Sequence, residues 1–263
     1  MENEKKIIWI TGASSGIGEE MAYRWSKENC FLILSARREN ELRRVQINCA
    51  HPEQCVIFPM DLANPQEVEH TADKVLSEFG SVDILVHNGG ISQRSSVADT
   101  IIEVDRKIME IDYFSSVILT KKMLPVMLAK KKGHIVVVSS IAGLFGFPMR
   151  SAYSAAKHAM HGFYETLWAE NHKQGIDVTI VCPGRILTNV SLHALTKDGT
   201  PHGEMDHGQA NGITAEQCAK RIVKAVKKRK KEIYIGRKEI GMVYIKRYLP
   251  YLYYKLVSTI KPT

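Results

Sequence analysis

Short apolar segments alternate with amphipathic segments along almost the entire chain. The apolar segments are rich in isoleucine, valine and leucine, as buried strands are, and they lie at residues 7–10, 31–36, 55–59, 84–87, 135–138, 177–182 and 232–235. Between them, apolar residues recur at the spacing of one helical face. Strands that alternate with helices predict an α/β fold, with a doubly wound parallel sheet and helices on both faces. No repeat, low-complexity segment or interdomain linker interrupts the pattern, so residues 1–263 are predicted to form a single domain.

Three segments depart from this alternation. Residues 103–131 carry an amphipathic pattern long enough for one helix, and we expect Pro125 to kink or divide it because proline removes a backbone hydrogen bond. Residues 185–212 are polar and rich in glycine, which predicts a long loop of the kind that forms a substrate lid in α/β enzymes. Residues from about 239 to 263 form a tail that is both basic and aromatic.

Positive charge is concentrated near the carboxyl terminus. The chain has 263 residues and a net charge of +8, and residues 220–263 contain 14 of its 36 lysines and arginines. No nucleic-acid-binding motif accompanies this charge, so we expect no nucleic-acid partner. The composition, 44% hydrophobic and 24% charged, is that of an ordinary soluble protein.

The five cysteines are scattered and show none of the spacings of a metal site. Their odd number indicates reduced thiols in a cytosolic protein, and we expect no bound metal. The amino terminus lacks the long apolar segment of a signal peptide, and no apolar run reaches the length that spans a membrane. The predicted location is therefore the cytoplasm.

A glycine-rich turn follows the first predicted strand and leads into a helical pattern; it reads Thr11-Gly12-Ala13-Ser14-Ser15-Gly16-Ile17-Gly18. Glycines at this place allow a tight turn and let backbone amides approach a pyrophosphate, which the helix amino terminus also favours. The second strand ends at Ala36, where an acid would select NAD, and Arg37 and Arg38 follow it. An arginine here accommodates the 2′-phosphate of NADP, so NADP(H) is the predicted cofactor, although both arginines could instead begin a solvated helix.

Polar residues and glycines also follow the third and fourth predicted strands. Asp61 could accept a hydrogen bond from the adenine amine, or it could cap the helix that begins after Pro65. Asn88, Gly89 and Gly90 follow the fourth strand, where the glycines indicate that the backbone closely approaches another group.

The strongest chemical signal lies between residues 133 and 163. A β-branched run ends at Ser139 and Ser140, and the helical pattern that follows carries Tyr153 and Lys157. Residues four apart on a helix lie roughly 6 Å apart on one face, so both side chains point into the same space. A nearby ammonium favours the ionised form of a phenol, which makes the pair a plausible acid and base, and the Ser140 hydroxyl could hold a substrate oxygen. Alone, however, this spacing is also that of an ordinary helix-surface pair.

Together, these motifs resemble the classical short-chain dehydrogenase/reductase family over nearly the full chain, which implies a Rossmann-type sheet. The motifs lie at residues 11–18, 61–62 and 88–90, at Ser140, at Tyr153 with Lys157, and at Pro183-Gly184 with Thr188. Residues 82–94 and 150–163 more narrowly resemble the dehydrogenase/reductase member-seven subgroup. Characterised relatives of that subgroup act on steroid and retinoid-like carbonyls or have no assigned substrate.

The resemblance implies hydride transfer between NADP(H) and an apolar carbonyl compound or its alcohol. Tyr153 would be the general acid for reduction and the base for oxidation, Lys157 would assist it and bind the nicotinamide ribose, and Ser140 would orient the substrate oxygen. The residues that would hold the cofactor are Gly12, Ser14, Ser15, Gly16, Ile17, Gly18, Arg37, Arg38, Asp61, Leu62, Asn88, Gly89, Tyr153, Lys157, Pro183, Gly184 and Thr188.

Two positions depart from the family pattern. Asp112 replaces an asparagine that helps to maintain a water relay to the lysine, and we still expect Asp112 in the catalytic site, where its carboxylate would favour a charged Lys157. His87 replaces another asparagine, and we expect it to be a strand-end histidine with satisfied hydrogen bonds.

The resemblance also implies a homodimer or homotetramer built on the helices at 103–131 and 151–173. The tyrosines and leucines of the tail, interleaved with lysines and arginines, could contact a membrane surface. We favour the other two interpretations, in which the tail covers the substrate cleft or packs in an oligomer. The alternative function is a non-catalytic NADP(H)-binding or membrane-surface-associated protein on the same fold, which measured turnover would exclude.

Overall fold

The computed structural model describes residues 5–260 of the chain. Its strands are β1 (Lys6–Thr11), β2 (Cys30–Ser35), β3 (Cys55–Ile57), β4 (Ile84–His87), β5 (Gly133–Val138), β6 (Ile176–Pro183), β7 (Ile186–Leu187), β8 (Ile213–Thr214) and β9 (Glu232–Ile235). Seven of them form a parallel sheet in the order β3-β2-β1-β4-β5-β6-β9, and β7 pairs separately with β8. The strand order reverses between β1 and β4, and doubly wound sheets bind ligands in the crevice at that point. The predicted fold class is confirmed.

Helices cover both faces of the sheet. The helices of the described residues are α1 (Gly16–Trp25), α2 (Glu39–Asn48), α3 (Pro65–Phe79), α4 (Ile102–Met109), α5 (Ser115–Ala129), α6 (Ser151–Asn171), α7 (His207–Ala210), α8 (Ala215–Lys227), α9 (Gly241–Tyr248) and α10 (Pro250–Val257). Local sequence explains where several begin. At α3, the Asn64 side chain accepts a hydrogen bond from the Glu67 amide, and Pro65 occupies the first helical position, where its missing N–H costs nothing. Thr214 caps α8 in the same way.

The core consists of two apolar layers, one on each face of the sheet. Because side chains alternate along a strand, Ile8 and Ile10 of β1 join the layer under α1, α2 and α8, while Trp9 joins the layer under α3, α5 and α6. Each fully buried large apolar side chain stabilises the fold by about 1.5–3 kcal/mol. These layers fix the sheet, and the sheet fixes the loops at its carboxyl edge.

The helical pattern at 103–131 is interrupted, but not at the proline. A wide π-helical turn, Glu110–Phe114, separates α4 from α5, whereas Pro125 lies inside α5 without ending it. Pro125 and Lys121, whose carbonyl loses its partner, are both exposed, so water can replace the missing hydrogen bond. The prediction that proline would divide this segment is therefore wrong, and the π-helical turn brings Asp112 into the interior.

The predicted lid and tail both contain regular structure. The segment 185–212 contains β7 and α7, and the pairing of β7 with β8 ties its start to the beginning of α8. The tail folds into α9 and α10, and Tyr253 packs edge-on against Phe145 while its hydroxyl donates to the Gly146 carbonyl at 2.7 Å. Within residues 5–260, no helix combines the length and the apolar character needed to cross a bilayer.

Candidate active site

A cleft of about 340 Å³ opens where the parallel strands end. Its walls come from the segments that follow β1 to β6, together with the start of the predicted lid. Most of the predicted site residues line it, namely Gly12, Ser14, Ser15, Gly16, Ile17, Arg37, Arg38, Asp61, Leu62, Asn88, Gly89, Ser140, Tyr153, Lys157, Pro183, Gly184 and Thr188. Gly18 and Asp112 are the two predicted residues that do not reach its surface.

The glycine-rich turn forms the floor of the cleft and admits no side chain at its tightest points. Gly12 has a φ of +65°, and a Cβ there would lie 2.6 Å from the Gly89 Cα atom. A Cβ on Gly18 would lie 2.3 Å from the Gly12 carbonyl oxygen, so Gly18 packs α1 against the turn rather than facing the cleft. The Ser15 side chain makes no capping hydrogen bond to α1. The first-turn amides of α1 are therefore suited to binding an anionic group.

Asn88 joins this turn to the end of β4. Its side-chain amide donates to the carbonyl oxygens of Thr11 at 3.1 Å and Gly12 at 3.2 Å. Its backbone N–H, in turn, donates to the Thr11 hydroxyl at 3.0 Å. Asn88 thus sets the distance between the two strand ends on either side of the crevice.

The part of the cleft next to the end of β2 carries two arginines and an aspartate, the charged residues that the sequence predicts near the adenine ribose. Arg37 and Arg38 are exposed at the end of β2, and the Arg38 guanidinium donates to the Ser14 hydroxyl at 3.5 Å. Asp61 lines the cleft and its carboxylate accepts from the Ala63 amide at 3.0 Å. Because Asn64 caps α3, the alternative in which Asp61 caps that helix is wrong.

Ser140, Tyr153 and Lys157 all line the cleft. Ser140 is buried; its hydroxyl accepts from the Ala142 amide at 3.1 Å and donates to the Pro183 carbonyl over a long 3.4 Å. Tyr153 and Lys157 share one face of α6, and the lysine Nζ lies 5.6 Å from the centre of the tyrosine ring. The Lys157 ammonium also donates to the Val138 carbonyl at 3.2 Å, so it is held on two sides.

Asp112 lies directly behind the lysine. Its Oδ2 is 3.2 Å from the Lys157 Nζ, and its Oδ1 accepts from the Ile91 amide at 2.8 Å. Burial raises the pKa of the Asp112 carboxyl, against the attraction of the lysine. Burial alone would lower the pKa of Lys157, but the charges of Asp112 and Tyr153 outweigh it, so that pKa lies above its ordinary value. The result is a buried ion pair that keeps the lysine charged.

Part of the cleft comes from residues that carry no motif. Five of them belong to the predicted lid, and these are Ile186, Asn189, Val190, His193 and Gln209. Only their position in a polar, glycine-rich segment could have indicated them, because no residue type there has a required spacing. Thr188 brings this segment to the glycine-rich turn, since a Cβ on Gly16 would lie 3.1 Å from its methyl group.

A buried ion pair anchors the far end of the predicted lid. The Arg94 Nε donates to both Asp206 carboxylate oxygens, at 3.1 Å and 3.0 Å, and its Nη2 donates to Oδ2 at 2.5 Å. Arg150 donates to the same Oδ2 at 3.0 Å. The side chains of Arg94 and Asp206 are only 3% and 4% exposed. Because Arg94 follows β4 and Arg150 precedes α6, this contact ties the end of the 185–212 segment to both of these elements.

His87 has the structural role expected of it. Its Nε2 lies 2.8 Å from the Thr120 hydroxyl, which also contacts the Tyr164 hydroxyl at 3.0 Å. The ring is buried, and burial lowers its pKa to about 3. His87 therefore ends β4 outside the cleft lining, and with this low pKa it stays uncharged near neutral pH.

Chemically, the cleft combines three features: amides suited to a pyrophosphate, a phenol beside a fixed ammonium, and a serine hydroxyl in the lining of the same cleft. A glycine cradle at the sheet crevice is suited to a dinucleotide. A phenol with a neighbouring charged lysine can exchange a proton with a bound oxygen. Together they suit redox chemistry at a carbon–oxygen bond.

Comparison with known proteins identifies the family. A sequence model of the short chain dehydrogenase family matches residues 6–198. A Drosophila melanogaster dehydrogenase/reductase SDR family protein 7-like is 40% identical, over 96% of this chain and 79% of its own length. The mouse dehydrogenase/reductase SDR family member 7B is 39% identical, over 96% of this chain and 80% of its own length.

Solved structures show the same architecture. A short-chain dehydrogenase from Streptomyces avermitilis has a TM-score of 0.84 at 27% identity, covering 98% of this chain and 97% of its own. A short-chain dehydrogenase/reductase from Burkholderia phymatum, solved with NAD, has a TM-score of 0.82 at 22% identity, with 96% of both chains covered. The chain therefore belongs to the short-chain dehydrogenase/reductase family of oxidoreductases, and within it to the member-seven subgroup.

Proposed function

We propose that this chain is an NADP(H)-dependent oxidoreductase that interconverts an apolar carbonyl compound and its alcohol, with Tyr153 as general acid and base. The observation that carries the proposal is the arrangement of Tyr153 beside Lys157, whose ammonium is fixed by Asp112 at 3.2 Å, in a cleft with a glycine cradle. A non-catalytic binding protein would not need a buried charge pair behind its tyrosine.

The preference for NADP(H) rests on the end of β2. No acid stands there to accept from a ribose hydroxyl, since Ala36 occupies the position and two exposed arginines follow. A guanidinium makes paired, charge-assisted hydrogen bonds to phosphate oxygens. Arg37 and Arg38 would bind the 2′-phosphate. The amides of α1 would bind the pyrophosphate, and Lys157 would bind the nicotinamide ribose. A bound nicotinamide would supply or accept the hydride.

The protein's own residues would handle the proton. During reduction, Tyr153 gives its phenolic proton to the substrate oxygen, and the neighbouring Lys157 charge stabilises the phenolate that remains. The Ser140 hydroxyl turns from its long bond to Pro183 and donates to the same oxygen, which orients the carbonyl. Oxidation of the alcohol runs through the same groups in reverse.

The substrate end of the cleft favours an apolar compound. Ile91 and Leu195 pack with Tyr153 in one small cluster, and Ile186 and Val190 add apolar surface from the lid. A ligand that is mostly apolar with one carbonyl fits such a surface better than a charged metabolite. We propose residues 185–212 as the substrate lid of a single domain that spans the chain.

The test is NADPH oxidation over a panel of apolar ketones, aldehydes and quinones, with NADH in parallel. Tyr153→Phe keeps the ring and removes the proton donor, so turnover should fall by about 10²- to 10⁴-fold. Tyr251→Phe, an exposed tyrosine of the tail, is the matched control. Turnover that survives in Tyr153→Phe would overturn the assigned role. Tight NADPH binding without turnover of any compound would favour the binding-protein alternative.

Arg37→Ala tests the cofactor preference separately. A charge-assisted hydrogen bond contributes about 1.5–3 kcal/mol, so the ratio of kcat/KM for NADPH to that for NADH should fall by roughly 10- to 100-fold. Arg43→Ala on α2 removes an exposed arginine that pairs with Glu39 instead, and should leave the ratio unchanged. Better kinetics with NADH in the unchanged enzyme would refute the NADP(H) assignment.

The tail has a proposed role beside the cleft. Because Tyr253 and Val243 pack on Phe145, we propose that α9 and α10 cover the apolar loop at 143–149. A second candidate role is peripheral contact with an anionic membrane, which the exposure of Tyr248 (73%) and Tyr251 (74%) supports. The cytoplasmic location and the assembly into a homodimer or homotetramer stay predictions. Light scattering of the purified protein would measure the number of subunits.

A further inference from the structure

Behind the cleft, helix α6 crosses the carboxyl end of β6, and three side chains able to bind a metal meet there. His161 lies one turn beyond Lys157 on α6, Cys182 is the penultimate residue of β6, and Glu232 begins β9 at the edge of the sheet. One ligand atom from each lies within 4.8 Å of the other two. None of the three lines the cleft, so this group is separate from the site described above.

Two of the three distances between these atoms are close to those within a tetrahedral metal site. The Cys182 Sγ is 3.6 Å from the His161 Nε2 and 3.7 Å from the Glu232 Oε1. With metal–sulfur bonds of about 2.3 Å and metal–nitrogen or metal–oxygen bonds of about 2.0–2.2 Å, tetrahedral ligand atoms lie roughly 3.3–3.6 Å apart. The third distance, between His161 and Glu232, is within 4.8 Å, and the Glu232 Oε1 is 3.9 Å from the Nδ1 of the same imidazole. Rotation of the exposed Glu232 side chain towards Nε2 would complete the geometry.

Neighbouring side chains orient two of the three ligands. The Tyr234 hydroxyl donates to the Glu232 Oε2 at 3.0 Å, which leaves Oε1 directed towards the thiol. The Glu165 Oε1 lies 3.5 Å from the His161 Nδ1, a buried atom with no hydrogen-bond partner among the described residues. A carboxylate beside the second ring nitrogen is the usual support of a metal-binding histidine, because it fixes the tautomer that leaves Nε2 free.

The charge of the group also suits a cation. The Glu232 carboxylate lies beside the Cys182 thiol, with its Oε1 3.7 Å from the Sγ atom. A bound cation would balance the carboxylate and stabilise the thiolate form of Cys182, which is the form that binds metals.

We propose that His161, Cys182 and Glu232 bind one divalent metal ion of the zinc class, with an open fourth position for water. A mixed sulfur, nitrogen and oxygen donor set suits Zn²⁺ rather than Mg²⁺ or Ca²⁺, which prefer oxygen ligands alone. The Glu232 side chain is 36% exposed and gives the ion access from solvent. Spacing along the chain does not reveal the group, because its members are 21 and 50 residues apart.

A metal ion here would join three elements that carry or flank the active site. It would link α6, which bears Tyr153 and Lys157, to the end of β6 just before Pro183 and to the edge strand β9. The ion would therefore act as a clamp on the helix that holds the acid and base, without touching the substrate.

Co²⁺ is a suitable probe, because tetrahedral Co²⁺ absorbs in the visible range and a cobalt–thiolate bond adds a charge-transfer band in the near ultraviolet. The full-length protein, reduced and freed of metal, is titrated with Co²⁺, and the spectrum is then followed as Zn²⁺ is added. We expect one Co²⁺ per chain, both spectral features, and their loss as Zn²⁺ displaces the probe.

Variants assign the ligands. Cys182→Ser should abolish the charge-transfer band, and Glu232→Gln, at a half-exposed position that folding tolerates, should weaken Co²⁺ binding by at least about 10-fold. Glu165→Gln should weaken it by roughly 10- to 100-fold through the histidine. The controls are Cys218→Ser, a buried thiol of α8, and Glu170→Gln, an exposed acid of α6; both should bind Co²⁺ like the unchanged chain.

Melting curves recorded without metal show that each variant is folded. If Cys182→Ser fails to fold, Glu232→Gln and Glu165→Gln decide the question. The absence of a thiolate–cobalt band in the unchanged protein would overturn the proposal. Equal binding in Glu232→Gln, or loss of the band in Cys218→Ser, would overturn it as well.

Discussion

Replacing Asp112 with asparagine tests how the active-site lysine keeps its charge. The substitution preserves shape, and an asparagine Oδ1 can still accept from the Ile91 amide. It removes only the negative charge 3.2 Å from the Lys157 Nζ, in a pair whose side chains are 5% and 0% exposed. Asparagine is also the residue that the family usually carries there, so the variant is expected to fold.

The lost attraction is large. At the observed 3.2 Å and an effective dielectric constant of about 20, the two unit charges attract by about 5 kcal/mol. In the folded enzyme this attraction keeps the pKa of Lys157 above its ordinary value in spite of burial. Without it, burial remains and favours the neutral amine, so Lys157 should lose its proton at lower pH in the variant.

The assay is the pH dependence of kcat/KM for ketone reduction. Loss of the Lys157 proton removes the charge that supports Tyr153, so the alkaline limb should move to lower pH in Asp112→Asn. Because about 1.4 kcal/mol corresponds to one pH unit, losing even a quarter of the attraction moves this limb by about one unit. Activity at the acidic end of the profile should change much less.

Asp105→Asn is the matched control, since Asp105 lies on the preceding helix α4 away from the lysine. Its profile should overlay that of the unchanged enzyme. An unmoved alkaline limb in Asp112→Asn, or one displaced to higher pH, would show that the lysine charge does not depend on this carboxylate. The reasoning about the buried pair would then be wrong.

Three further predictions follow from other contacts. Gly12→Ala should weaken NADPH binding at least about 10-fold in a fluorescence titration, because a Cβ would lie 2.6 Å from Gly89; unchanged affinity would contradict the cradle. Asp206→Ala should lower the free energy of unfolding in urea by about 3–5 kcal/mol, since it leaves a buried arginine unpaired, whereas the exposed Glu204→Ala should have no effect; equal stabilities would contradict the anchoring role. His87→Asn should make the free energy of unfolding less sensitive to acid. The pKa of His87 is about 3 in the folded protein and near 6.5 in the unfolded chain, so its contribution to stability is complete above pH 6.5. As the pH falls from 6.5 to 3, that contribution is lost by up to about 1.4 kcal/mol per pH unit. Urea unfolding at several pH values measures this, and an unchanged slope would refute it.

The contact of the tail with membranes is tested in a separate way. Full-length protein should float with anionic liposomes, and a chain truncated after Ile240 should not. Because truncation also uncovers Phe145, a double variant of Tyr248→Ser and Tyr251→Ser, both at exposed positions, is the sharper comparison. Equal flotation of all three proteins would exclude a membrane role for the tail.

Much of the fold follows from the order of residues along the chain. Strand and helix periods are local properties, so the seven strands and the glycine-rich turn could be predicted from apolar spacing. The same holds for Tyr153 and Lys157, because the distance between two residues one helical turn apart is set by the helix itself. Strand ends such as Asn88 and Ser140 meet because all strands of a parallel sheet end at one edge.

Other features could not be derived from residue type and spacing. The π-helical turn at Glu110–Phe114, rather than Pro125, interrupts the long helix, and packing of that turn decides that Asp112 reaches Lys157. The assignment of the α3 cap to Asn64 instead of Asp61 depended on backbone geometry within a few residues. Residue type alone does not show where the long helix is interrupted. Nor does it show which residue caps α3, since both Asn64 and Asp61 could accept the hydrogen bond.

The sequence by itself therefore determined the family, the parallel sheet and the spacing of Tyr153 and Lys157, the proposed acid–base pair, because these depend on local periodicity and on motifs at short spacing. Only the tertiary structure decided which lid residues face the cleft, how Arg94 and Asp206 anchor that lid, and that His161, Cys182 and Glu232 converge behind α6. Such contacts arise from packing between elements that are tens of residues apart. No local pattern encodes a distance of that kind.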